Sequence, residues 1–117
     1  MQLDWRSEEL ASGLACYRRE EYFEAHEHWE LLWRKADGVE KTLLHALIQI
    51  AVALCHCQRG NPVGAHSLFH KASERLDFCP DDCGGVNVAH LRKEVSVWLQ
   101  YLEGGELGTL PKVPGVL

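Results

Sequence analysis

The amino-acid sequence predicts an all-α, single-domain bundle of about five helices. Three observations carry this reading. Apolar residues recur at helical spacing along nearly the whole chain. No segment alternates as a half-buried strand would. Glycine, asparagine and proline fall where helices would end or begin. At 117 residues with 46% apolar side chains, the chain can bury one hydrophobic core without disulfide or metal staples.

The first helix is expected over about residues 7–19, with Leu10, Leu14 and Tyr17 on one face. The second, about 22–36, should close at Asp37-Gly38, where glycine can take a left-handed cap position. The third, about 39–58, ends before Gly60. Asn61-Pro62 then reads as the N-cap and first residue of a fourth helix, which turns Ala65, Phe69, Ala72 and Leu76 inward. A loop, D-F-C-P-D-D-C-G-G, precedes a fifth helix at about 88–103, with Val88, Leu91, Val95, Trp98 and Leu102 at core spacing. Residues 104–117 should be extended, because Pro111 and Pro114 interrupt any helix. The short joins predict two helical hairpins plus a C-terminal helix. A shift of 40 residues lays Ala25 on Ala65, His26 on His66 and Trp29 on Phe69, an echo that fits two stacked hairpins.

Bulk chemistry narrows the partners. A net charge of −5 lacks the basic footprint of a nucleic-acid binder. The chain becomes charged within its first residues, which argues against a signal peptide. The apolar run over residues 43–57 is interrupted by His45, Gln49 and His56, and reads as a buried helix and not a membrane span. Five cysteines, an odd number, suit reduced thiols in a cytoplasmic protein.

Three motifs occur in order: Y-F-E-A-H-E-x-x-E-x-x-W over Tyr22 to Trp33, L-I-Q-I-A-V-A-L-C-H over Leu47 to His56, and R-G-N-x-x-G-A over Arg59 to Ala65. Together they resemble the small bacterial and plastid family known as domain of unknown function 309, across a core of roughly residues 10–78. The resemblance implies an all-α bundle and implies no activity. Cys55 stands where that family usually has an aromatic ring before the helix-three histidine.

On a helical wheel, Ala25, Trp29, Leu32 and Ala36 form the apolar face of helix two, with Glu24, His28 and Lys35 opposite and solvated. His26, Glu30 and Trp33 lie at one edge, with Phe23 and Glu27 just beyond. On helix three, His45, Gln49 and His56 share a narrow sector. An antiparallel hairpin would then converge His26, Glu27, Glu30, Gln49 and His56 into one polar cluster walled by Trp33 and Phe23. A half-buried His–Glu pair can fix helix register, and its loss would cost roughly 1–3 kcal/mol. The same set could ligate a divalent metal or support acid–base chemistry.

The expected function is therefore a non-catalytic binding or interaction protein, with a metal-assisted hydrolase or related enzyme as the alternative. No cofactor is required by the sequence, although a divalent metal is compatible with it. No nucleic acid or membrane is expected. Self-association and a protein or small-molecule partner stay open. H-E-H-W-E lacks the second histidine of the zinc-protease motif H-E-x-x-H. His66 and His70 read as a solvated pair. Cys79 and Cys83 could chelate zinc, but free thiols are preferred because no second cysteine pair accompanies them.

Overall fold

A computed structural model describes residues 3–104 and 110–117 of the chain. Five helices are present: α1 (Glu8–Arg18), α2 (Tyr22–Trp33), α3 (Gly38–Gln58), α4 (Pro62–Leu76) and α5 (Val88–Gly104). Each packs on its neighbour in sequence, so α1–α2 and α3–α4 form two stacked hairpins and α5 covers α4. The radius of gyration, 13.3 Å, is that of a chain of this length built on one core.

Helix α3 is the axis of this core. From Leu43 to Cys55 its side chains are buried, except His45 and Val52. The helix has 21 residues, long and apolar enough to cross a membrane by length and composition. The shorter apolar run visible in the sequence understates that length. Its apolar side chains are instead consumed by the bundle: Leu43, Leu44, Leu47 and Ile50 are fully enclosed.

Helix α2 stops three residues before its expected end. Lys35 N–H bonds the carbonyl of Leu32, and Ala36 N–H is shared between Leu32 and Trp33, which tightens the last turn. Gly38 does take a left-handed φ of +61°, but as the first residue of α3 and not as the cap of α2. The α1–α2 turn uses no glycine. Glu20 adopts φ +63° there, and its carbonyl accepts a hydrogen bond from Gln58 Nε2 at 2.9 Å, joining that turn to the end of α3.

The loop after α4 departs from the sequence expectation of no strands. Asp82–Cys83 and Val86–Asn87 pair antiparallel around Gly84-Gly85, both with positive φ. A two-residue turn with both φ positive is the geometry that suits a tight hairpin. Trp5 Nε1 donates to the Gly84 carbonyl at 2.7 Å and fastens this hairpin to the N-terminal end.

Residues 110–117 run without helix or strand, as the prolines require; the expectation for 105–109 lies outside the described residues. The segment is docked through its backbone. Trp98 Nε1 donates to the Lys112 carbonyl at 2.8 Å, and the Tyr17 hydroxyl to the Pro114 carbonyl at 2.6 Å. Glu94 accepts from Gly115 N–H at 3.0 Å, and Val116 is buried.

Candidate functional site

The wheel of α2 holds at its centre. Ala25 and Trp29 are fully buried, and Ala36 is buried just beyond the helix end. Leu32 is only half-buried. Glu24 and Lys35 are exposed as expected, whereas His28 is half-buried.

His26 Nδ1 donates to the Phe23 carbonyl at 2.6 Å, which places a ring proton on that nitrogen. Its Nε2 lies 3.5 Å from Glu30, an ion pair when the ring is protonated. Glu30 also meets Arg34 at 3.2 Å. The Phe23 ring packs on the imidazole with centroids 5.0 Å apart, and the Arg59 guanidinium lies 5.8 Å from the other neighbour of this set, the Phe23 centroid. Glu27 is exposed at the outer side of α2, where it lines a shallow cleft with Glu30, Leu31 and Arg34.

Trp33 belongs to a different neighbourhood. Its ring lies 5.1 Å from His45, and Lys41 Nζ sits 4.6 Å from the indole centroid. Burial holds the His45 imidazole below its ordinary proton affinity, and the charges of Arg75 and Lys41 add to that effect. Gln49, one turn further along α3, is buried at 6% exposure, and its Oε1 has no hydrogen-bond partner. Trp33 Nε1 and Arg75 Nε are likewise buried and unpartnered.

His56 is tied to α4. Asn61 caps that helix by accepting from Gly64 N–H at 3.0 Å, while its amide donates to His56 Nδ1 at 3.2 Å. A Cβ at Gly64 would stand 2.5 Å from Asn61 Nδ2 and 3.1 Å from His56 Cγ. Gly60, at φ +71°, makes the turn into the cap. The motif R-G-N-x-x-G-A is thus the geometry of a helix–helix join.

The candidate residues therefore fall into three places. His26 and Glu30 share one, with Glu27 alongside; Trp33 and Gln49 belong to the junction around His45; His56 serves the α4 cap. Lys41 and Arg75 are the members of that junction that sequence reasoning missed. Lys41 is one turn before His45 on α3, and that spacing was available. Arg75 arrives from α4 and had no local signal.

Among the described residues, no three His, Cys, Asp or Glu side chains are grouped to hold a metal ion. Cys79 and Cys83 are buried free thiols, and the other three cysteines are free as well. His66 pairs with Glu103 at 2.9 Å and so ties α4 to α5, while His70 and His90 are exposed and meet Glu74 and Glu94 within their own helices.

The fold and its polar junctions define a small all-helical domain of serially packed hairpins. Residues 10–68 match the family model described as "Domain of unknown function (DUF309)", and the chain belongs to that family. A curated relative from Aquifex aeolicus (strain VF5), titled "Uncharacterized protein", is 26% identical over 108 residues. The match covers 92% of this chain and 32% of that relative, so the chain spans about a third of the relative's length.

Proposed function

We propose that this chain is a non-catalytic binding module, with the junction of α2 and α3 around the half-buried His45 and Trp33 as its contact region. The observation that carries the proposal is how the polar side chains are divided. His26, Glu30 and His56, the groups suited to proton transfer or metal ligation, are engaged in contacts that hold helices and caps. Among the described residues, four buried side-chain atoms lack partners: Ser7 Oγ at the start of α1, and Trp33 Nε1, Gln49 Oε1 and Arg75 Nε, all groups that bind by hydrogen bonding and do not exchange protons near neutral pH. Buried polar atoms without partners are uncommon enough that those of Trp33, which packs on His45, and Gln49, one turn from His45, call for an explanation.

Placement within a longer relative supports a module that works beside other domains. Five free thiols support a reducing, cytoplasmic compartment. The metal-assisted alternative gains no support from the donor geometry. Elemental analysis of protein purified without an affinity tag tests the choice: no stoichiometric divalent metal is expected. One metal per chain, lost on His26→Ala or Glu30→Ala, would overturn the binding-module reading.

A further inference from the structure

Residues 110–117 lie in a groove whose aromatic wall comes from three helices: Tyr17 of α1, Tyr22 at the start of α2 and Trp98 of α5, all buried. Three side chains hold the segment, and each bonds its main chain. The Trp98 indole donates to the Lys112 carbonyl, the Tyr17 hydroxyl donates to the Pro114 carbonyl, and Glu94 accepts from Gly115 N–H. Pro111 is half-buried and Pro114 and Val116 are buried, whereas Lys112, Val113 and Gly115 between them are exposed.

Prolines three residues apart match the three-residue turn of a polyproline II helix, which makes no internal hydrogen bonds and leaves its carbonyls free for a binding surface. Aromatic rings beside such prolines are the means by which grooves receive P-x-x-P segments. Here an indole N–H and a phenol hydroxyl from that wall also take the carbonyls. These bonds do not read the exposed side chains. A Cβ at Gly115 would meet Glu94 Oε1 at 3.7 Å, an ordinary contact, so that position accepts other residues. Nor does the segment fill the groove. A cleft of about 370 Å³ stays open where Pro114 faces Leu14 and Tyr17, and another of about 200 Å³ where Pro111 faces Tyr22 and Trp98.

We propose that this groove is a docking site for an extended P-x-x-P-x-V segment of a partner protein, and that residues 110–117 occupy it until that segment displaces them. The pattern is the one the groove already holds, Pro111 to Val116. Recognition through main-chain atoms and prolines does not require the segment to be this chain's own, and the open volume admits larger side chains. The inference goes beyond the binding-module reading, because the His45 and Trp33 junction contributes nothing to the lining of this groove.

The test uses the full chain carrying Val116→Asp, which puts a charge at a buried position of the segment and so releases it, leaving the groove residues intact. The probe is the capped peptide L-P-K-V-P-G-V-L, and the reporter is the Trp98 indole N–H resonance of isotopically labelled protein. Saturable binding is expected, about tenfold or more tighter than to the unchanged chain, whose tethered segment competes at an effective concentration on the order of millimolar. Tyr17→Phe in the released chain should weaken binding by about threefold or more. The capped peptide L-A-K-V-A-G-V-L, without the prolines that limit its freedom, should bind about fourfold or more weakly. Gly115→Pro removes the N–H that Glu94 receives and keeps the test decisive if Val116→Asp does not fold. Equal binding of the alanine peptide, no saturable shift in a folded released chain, or loss of the fold in both released chains overturns the inference. So does an unchanged chain that sediments as a dimer and becomes a monomer with Val116→Asp, since that assigns the groove to a second copy.

Discussion

A Cβ added at Gly13 of α1 would stand 2.3 Å from Nε1 of Trp29, the fully buried indole around which α1 and α2 close. The indole packs against Tyr17 at 5.7 Å and edge-on to Trp5 at 6.4 Å. It cannot retreat without disturbing both.

Gly13→Ala should therefore destabilise the fold by about 1–3 kcal/mol, the usual cost of overpacking a core. Alanine favours an isolated helix by up to about 1 kcal/mol over glycine, so the sign of the change is informative. Urea denaturation followed by circular dichroism measures it. An unchanged or higher midpoint would show that α1 and α2 separate freely.

Glu30→Ala should have a small effect, under about 1 kcal/mol, and smaller still in high salt. The sequence alone suggested a larger loss, on the premise of a half-buried pair. The Glu30 side chain is 37% exposed and Arg34 is 66% exposed, so solvent screens the contact. A loss of several kcal/mol in thermal unfolding would mean that Glu30 is far more enclosed than its surroundings indicate.

The cysteines should be slow nucleophiles. Burial pushes the Cys79 thiol up to about 11, with Cys83 adding to the rise and Arg92 opposing it. At pH 8 its thiolate fraction is about two orders of magnitude below that of a free thiol. Alkylation by iodoacetamide, resolved by peptide mapping, should be correspondingly slow, and a rate like that of glutathione would contradict this. The folded thiol keeps its proton to higher pH than the unfolded one. Stability from this group is thus complete below the unfolded value near 9.0 and falls as pH rises from there toward 11.

The helices were legible because each leaves a local mark. The 3.6-residue recurrence of Ala65, Phe69, Ala72 and Leu76 predicts a buried face, and all four are fully enclosed. Asn61-Pro62 marked the start of α4, and the asparagine does cap it. The small hairpin was missed, although Gly84-Gly85 carries a tight-turn signal; two-residue strands are too short to show alternation. The candidate cluster was legible only in part. Spacing along one helix brings His26 to Glu30, but the partner of Trp33 depends on how α2 lies across α3. Assigning Arg75 to that junction also requires the packing of α4, information held at long range in the chain.

The burial of α3 has a consequence for what happens when the bundle opens. Loss of the α1–α2 hairpin or of α4 would release a continuous apolar cylinder of membrane-spanning length. Such a segment is prone to aggregate, and insertion machinery selects on the same property. His45, Gln49 and His56 work against that fate, because each polar side chain raises the cost of entering hydrocarbon. The residues that shape the α3 face in the folded chain thus also make the released segment a poorer membrane anchor than a wholly apolar one of the same length.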